Sequence, residues 1–466
     1  MRVWGHKSTG GAEAASPRLD RCFPGAYPRA RSPVLVWIAL FAIALFSLSN
    51  FIEPTLARKA EWLLLVVTLL AGGQIRREDP DAWLYLVMFL FLGLMLAMNW
   101  WAASAWGAGY DHFSYSRDYL RFFWFLMAGW WLGGKERNIF IVFAIAIAAL
   151  FITIQTEGGL VSWERLFKGH RVDFNVHNAE HIGLLFGSIL IGLLSFMFRF
   201  FDARRPPAVR LGWGVLWMLL FAGTITVVLG AQTRQTWLGF AFAIIASVVF
   251  LLSSRLSGGA LIKRRLSWIA IAIGLVIAAG LSMNTFERMT KRVTVEIDAI
   301  EHLRLDAIDN TRFNSSTIRL VLWKTAFDAI WKRPLLGYGG AARRIVIDHA
   351  NLPARIRRFG HFHNSYLELW LSYGIAGPLV FVSTLVVLGR RLVRACRSGH
   401  VAMDFAVFGV AWLVFFAVAN FFESYVSYRT GAYLMLVIGG ALYSIAIPAR
   451  RAARLAAHPG RTTDNG

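Results

Sequence analysis

The sequence predicts an all-α polytopic membrane protein of about twelve transmembrane helices with a large helical loop on the exported side, and three observations carry that expectation. Of 466 residues, 57% are hydrophobic and only 16% charged, with 19 Trp and 36 Phe, which is too apolar for a water-soluble globule. Apolar runs of about 20 residues, enough to cross roughly 30 Å of hydrocarbon, recur along the chain. Short clusters of Lys and Arg fall at every second junction between those runs.

In chain order the expected spans are 33–51, 60–74, 83–101, 119–134, 138–155, 181–199, 211–230, 235–253, 267–283, 375–390, 403–421 and 430–448, of which the second and fourth are short. Arg2, Lys7, Arg18, Arg21, Arg29 and Arg31 precede the first span. Basic clusters recur at Arg76-Arg77, Lys135/Arg137, Arg204-Arg205, Lys263-Arg264-Arg265, Arg390-Arg391 and Arg450-Arg451, which predicts that both termini are cytoplasmic. A formal net charge of +22 would suggest nucleic acid in a soluble protein, but this placement of the charge is that of membrane topology, so membrane lipids and not nucleic acid are the expected partners. Cys22 and Cys396 both fall in segments assigned to the cytoplasm, so neither a disulfide framework nor a cysteine-based zinc site is expected. The first 32 residues, rich in Pro, Gly and Arg, read as a disordered tail before an uncleaved anchor.

Two exported loops break the run of short connections, one over about 156–180 and a much longer one over about 284–362. In the longer loop, "STIRLVLWKTAFDAIWKR" (316–333) predicts an amphipathic helix with Ile318, Leu322, Ala326 and Ala329 on one stripe. Lys324, Asp328 and Lys332 fall on another, and Ser315, Ser316 or Thr317 can cap its start. Pro334 and the glycines of "PLLGYGG" end it. Arg319 sits on the apolar flank beside Trp323 and Ile330, so its guanidinium must snorkel, pair or meet a ligand. Arg343, Arg344, Arg355, Arg357 and Arg358 then oppose only Asp348, a density that suits either anionic lipid headgroups or a phosphate site.

The loop ends on "GHFHNSYLELWLSYGIAGP" (360–378). His361 and His363 are expected to point to opposite sides of a strand-to-helix junction and so to do different jobs. No convincing third ligand for a zinc ion is visible beside them, and the arginines would repel a cation, so no metal is expected. A general base is the better use of an imidazole here, with neighbouring arginines favouring its neutral form. Glu423 in "NFFESYVSYR" can be read as orienting a catalytic histidine, as binding sugar hydroxyls, or as an interfacial carboxylate with neither duty.

His363-Asn364, nine residues, Gly374, two residues and Gly377 resemble the signature of the bacterial O-antigen ligases, in the superfamily that also holds O-antigen polymerases and protein O-oligosaccharyltransferases. The chain departs from it at Pro378, where the family has Leu, Ile or Val, and where a proline should bend the start of the next span without touching the histidine. Span count, orientation and the long exported loop resemble the same superfamily. Arg234 and Trp237 in "AQTRQTWLG" resemble the family's Arg-x-x-Trp, and Arg319 its later loop arginine. Arg171 and Asn178 in "HRVDFNVHNAE" resemble its Arg-to-Asn pattern, with Phe174 in place of the usual glycine.

The resemblance implies a GT-C-like, metal-independent and cofactor-free glycosyltransferase of the bacterial inner membrane. It would carry a glycan from undecaprenyl pyrophosphate to the lipid A-core oligosaccharide on the periplasmic face. His363 is then the catalytic base and Arg234 and Arg319 bind the donor diphosphate. Asn364, His361, Tyr366, Trp237, Arg171, Asn178, Arg343, Arg344 and Glu423 are supporting candidates. The domain reading is a cytoplasmic tail at 1–32, spans one to nine at 33–283, and the periplasmic loop at 284–362. The histidine segment with spans ten to twelve follows at 363–448, and a cytoplasmic tail at 449–466. Polymerase and protein-glycosylating activities are the alternatives within the superfamily. A transporter is the alternative outside it, although ionisable residues gather at span ends and not at the midplane.

Overall fold

A computed structural model of the chain describes residues 32–107, 109–253, 294 and 314–457. The expectations for the N-terminal tail with Cys22, the basic cluster at 263–265, the span at 267–283, the loop before residue 314 and the last residues from 458 lie outside the described residues. Among the described residues, helices are the regular secondary structure and no strand is present.

Every other expected span falls on helix. The longer helices are α1 (Pro33–Ser49), α2 (Pro54–Leu70), α3 (Trp83–Trp106), α4 (His112–Leu120), α5 (Phe125–Leu132), α6 (Glu136–Phe167), α7 (Ala179–Ser195), α8 (Pro207–Ala231) and α9 (Arg234–Ser253). Beyond the gap come α10 (Ser315–Lys332), α11 (Ala342–His349), α12 (Ser365–Tyr373), α13 (Ala376–Arg397), α14 (Met403–Phe422), α15 (Arg429–Leu434) and α16 (Gly440–Ala457). A π-turn at Met435–Gly439 joins the last two. Among the described residues, 7 helices are long and apolar enough to cross a membrane, and α1 and α7 are shorter apolar helices.

Two expectations need correction. The span at 119–134 is not one helix: α4 passes through a 3-10 turn at Arg121–Trp124 into α5. The break coincides with Arg121, whose guanidinium turns to Glu61 at 2.8 Å and Asp118 at 3.3 Å, so a buried charge takes its partners where an unbroken apolar span was expected. The segment 156–180, expected to be a loop, is half helix, because α6 continues to Phe167. Gly159 (φ 57, ψ −171) redirects it on the way, a conformation open mainly to glycine.

The chain runs back and forth between two ends of the bundle. At one end, polar staples join the helix turns: Arg199 reaches Asp404 and Glu136 at 2.5 Å each. Arg391 meets Asp81 at 2.7 Å, and the Tyr443 hydroxyl donates to Asp79 at 2.5 Å. The other end carries the segment after residue 314. There α10, α11 and α12 enclose a second apolar core of Ile318, Leu322, Ile345, Phe362 and Leu371, separate from the core of the bundle.

Ile318, Leu322, Ala326 and Ala329 of α10 are buried, and Lys324, Asp328 and Lys332 are exposed, as the helical spacing predicts. The cap differs: Asn314, one residue ahead of the expected serines and threonine, accepts from the Thr317 backbone N–H, and the Thr317 hydroxyl accepts from the Asn314 N–H.

The glycines of "PLLGYGG" and of the histidine motif lock into one another. Tyr338 N–H donates to Leu371 O at 2.7 Å, Gly339 N–H to Ser372 O at 2.9 Å and Ile375 N–H to Pro334 O at 3.0 Å. Gly374 adopts φ 63, and a Cβ there would collide with the Leu335 carbonyl, while one at Gly377 would collide with that of Leu369. The glycine spacing of the motif is therefore a backbone-packing requirement. Pro378 lies in the first turn of α13, where a missing N–H costs no helix bond.

Candidate active site

The histidines are placed by the residue between them. Phe362 is fully buried in the second core; its N–H donates to Glu368 Oε1 at 2.9 Å, and its carbonyl accepts from the Trp323 indole at 2.9 Å. With Phe362 pinned inward, His361 and His363 turn outward together. Their rings lie 4.0 Å apart, which corrects the expectation of opposite sides. His363 takes the left-handed φ of 51, and this bend brings it to the side where residues two apart on extended backbone already meet.

Both rings converge on Glu423, which has no exposed surface. His363 Nδ1 is 2.9 Å from Oε2, and His361 Nε2 is 3.3 Å from Oε1. His361 Nδ1 lies 2.7 Å from the Phe359 carbonyl, which can only accept, so Nδ1 carries a proton. The hydrogen-bond network then assigns a proton to His361 Nε2 facing Glu423, and one to His363 Nδ1, leaving His363 Nε2 as a lone-pair nitrogen. Burial opposes charge on His361, but the hydrogen bond and charge of Glu423 outweigh it and its pKa is raised. For Glu423 burial also opposes charge, and the two histidines overcome it, holding the carboxyl well below its usual range. The charge that both imidazoles face is thus a carboxylate and not the arginines the sequence suggested.

Asn364 caps α12: its side chain accepts from the Tyr366 and Leu367 N–H groups, and its own N–H donates to Ser424. Glu368, one turn on, is buried and takes Phe362 N–H, the Ser424 hydroxyl at 2.6 Å and the Ser427 hydroxyl at 3.2 Å, with Arg343 at 3.8 Å. It fixes the histidine segment against the turn that carries Glu423. Sequence reading passed over Glu368; the available signal was a carboxylate on a helix whose other faces are apolar.

Tyr366 points elsewhere, its hydroxyl donating to Ala417 O at 2.8 Å. It stands between two apolar clefts, of about 420 Å³ beside Asn364, Trp323 and Trp370, and of about 340 Å³ beside Leu238, Phe242 and Phe422. Arg343 packs over the Tyr115 ring and donates to Ser427, and Arg344 pairs with Asp348 at 3.6 Å.

The anion side is assembled from three segments. Arg319 on α10 and Arg171 ahead of α7 both meet Glu180 Oε1, each at 3.1 Å. Asn178 caps α7 by accepting from His181 N–H. Arg234 opens α9, followed by Gln235, whose amide donates to the Tyr425 hydroxyl, and Trp237 packs by its ring edge on Phe240. Tyr425 donates in turn to the Glu180 carbonyl at 2.8 Å, tying this cluster to the turn that holds Glu423.

Phe174 carries φ 51, so the backbone keeps a glycine-like conformation where the Arg-to-Asn pattern has glycine. Among the described residues the non-glycine positions of positive φ are Phe174, Asn175, His177, Gln232 and His363, all at this end of the bundle, and such strain concentrates at functional sites. His177 and His181, also unremarked in the sequence, pack tilted or edge-on against Tyr428 beside His361.

His361, His363 and Glu423 also have ligand atoms within 4.8 Å of one another, so Glu423 supplies the third metal ligand that sequence reading did not find. The approaches of His361 Nε2 and His363 Nδ1 to Glu423 are each accounted for by a hydrogen bond or ion pair.

Together these features define a multi-pass, all-helical membrane protein with a buried-carboxylate histidine pair and an arginine cluster at one end of its bundle. Residues 218–382 match the family model described as O-Antigen ligase, which supports the O-antigen ligase superfamily. The matched segment contains Arg234, Arg319, His363, Gly374 and Gly377; Arg171, Glu180 and Glu423 lie outside it. An uncharacterized protein of Haemophilus influenzae (strain Rd) is 21% identical over 217 residues, 40% of this chain and 51% of the relative, so the chain spans about half the length of that curated relative.

Proposed function

We propose that this protein is an O-antigen ligase of the bacterial inner membrane, transferring a glycan from undecaprenyl pyrophosphate to a hydroxyl of the lipid A-core oligosaccharide at the periplasmic face. The observation that carries the reading is the His363–Glu423 contact at 2.9 Å, with His363, Arg234 and Arg319 inside the segment that matches the O-antigen ligase family. A sugar hydroxyl is too weak an acid to attack unaided. His363 Nε2 accepts its proton as the new bond to the anomeric carbon forms, while Glu423 orients the ring and stabilises the imidazolium. The leaving pyrophosphate gains negative charge, which Arg319 and Arg234 stabilise with charge-assisted hydrogen bonds. One displacement from the opposite face inverts the anomeric carbon. Both termini are cytoplasmic in this reading, and the segment before the histidines is a periplasmic loop.

The polyprenyl tail needs an apolar, lateral path, and the clefts on either side of Tyr366 offer one beside Asn364. The test is reconstituted transfer with three acceptors offered in parallel: lipid A-core, further lipid-linked repeat, and a pilin-like protein. Glycan on lipid A-core supports the ligase; product on lipid-linked repeat makes the protein a polymerase, and product on the pilin a protein O-oligosaccharyltransferase. Glycan flux with no covalent product makes it a transporter.

A further inference from the structure

The proposed transfer assigns no step to Glu180. Its carboxylate occupies the meeting point of Arg171 and Arg319. We propose that Glu180 is an internal stand-in for the donor diphosphate: it holds Arg171 and Arg319 together while the site is empty and is displaced when the diphosphate arrives, which makes Arg171 a third donor-binding arginine. The inference rests on the reading of this site as one that takes a pyrophosphate-linked donor.

Three observations carry it. Two guanidinium groups from segments far apart in sequence converge on a single oxygen, Glu180 Oε1, at 3.1 Å each. Convergence of forks on one oxygen is how arginines clamp a phosphate, and a lone carboxylate answers it incompletely.

The shortfall is visible in Arg319, whose Nε is buried and has no hydrogen-bond partner among the described residues. An unmade bond to a buried donor is costly, and a diphosphate has oxygens to spare for it while Glu180 does not.

The third observation concerns how Glu180 is held. Its backbone carbonyl accepts from Tyr425 and it lies in the first turn of α7 behind the Asn178 cap, so its backbone stays in place when the carboxylate lets go. The Glu180 and Arg319 side chains are 17% and 16% exposed, and Arg171 is 37% exposed, so an incoming anion can reach all three.

The same exchange run in reverse helps the product leave. As undecaprenyl pyrophosphate withdraws, Glu180 returns to the arginines, so the site is never an empty cluster of positive charge. An internal competitor of this kind weakens apparent diphosphate affinity by the fraction of time it holds the site.

The test is isothermal titration of the full, detergent-solubilised chain with inorganic pyrophosphate, for wild type, Glu180→Gln, Arg171→Gln and the double variant. Removing the charge of Glu180 while keeping its shape should tighten pyrophosphate binding by about tenfold, as expected if the stand-in occupies the site nine-tenths of the time. Arg171→Gln should weaken binding, and the double variant should fall back toward it. In the transfer assay Glu180→Gln should lower the donor KM and lower kcat through slower product release.

Unchanged or weaker pyrophosphate binding by Glu180→Gln, at an unchanged melting temperature, overturns the stand-in role. If that variant does not fold, Glu180→Asp keeps the charge on a shorter arm and should also bind pyrophosphate more tightly; binding equal to wild type then overturns the proposal. Absence of pyrophosphate binding in wild type and every variant would instead contradict the donor assignment itself.

Discussion

His363 Nδ1 lies 2.9 Å from Glu423 Oε2, and the two residues come from segments 60 positions apart. The contact fixes which imidazole nitrogen is free to act. Glu423→Gln should preserve the shape of the site while letting the amide N–H face Nδ1, which moves the ring proton to Nε2, the nitrogen that must accept. The expected loss in kcat is about 10²- to 10⁴-fold with little change in donor KM. A parallel fall in kcat and rise in KM would assign Glu423 to substrate binding.

The His361–Glu423 pair gives a pH dependence with a definite sign. The Glu423 pKa is lowered below 4.5, so its contribution to stability is present above about pH 4.5 and is lost as pH falls through the folded value. The His361 pKa is raised above 6.5, so its contribution is complete below about pH 6.5 and is lost as pH rises through its folded value. The melting-temperature difference between wild type and His361→Gln in detergent should therefore be greatest between pH 4.5 and 6.5 and shrink at higher pH. A difference that is flat from pH 5 to 9 would show that His361 is not charged in the folded protein.

Gly374→Ala should be far more damaging than Gly399→Ala. Both glycines have positive φ, 63 and 76, so both variants carry backbone strain of roughly 1–2 kcal/mol. Only at Gly374 does the new Cβ also strike backbone, at Leu335, whereas Gly399 has nothing within 4 Å. The expected result is a much lower melting temperature and yield for the first variant. Equal effects would remove the interlocked-glycine explanation of the motif.

Chelation separates the two uses that the histidine–carboxylate cluster allows. Transfer should be unaffected by EDTA or 1,10-phenanthroline, because the proposed chemistry uses a proton and arginine charge. Activity lost to chelator and restored by zinc would make His361, His363 and Glu423 metal ligands and end the general-base role.

Much of this architecture is legible in the sequence. The burial of Ile318, Leu322, Ala326 and Ala329 follows from helical spacing. What the sequence hides is pairing across distance. Orienting a catalytic histidine is one of three readings the sequence leaves open for Glu423, but nothing local reveals that Glu180 would meet Arg171 and Arg319 or that Glu368 would hold Phe362, since each pair is made only when helices pack. The side-by-side histidines were missed because the turn into α12 was expected to separate them, whereas residues two apart on extended backbone share a face and, with φ 51 at His363, both rings still meet Glu423. The break at Arg121 was missed because a window average absorbs one charged residue into an apolar run, while its partner Glu61 lies on another helix.

The central claim is that His363 is the base of a glycan transfer. The most direct measurement compares wild type and His363→Ala, both reconstituted and shown to be inserted, on lipid-linked glycan with lipid A-core as acceptor. The account predicts glycan-capped lipid A-core from wild type and a rate lower by about 10²- to 10⁴-fold or more from the variant, with pyrophosphate binding retained. Transfer by His363→Ala at the wild-type rate would contradict it.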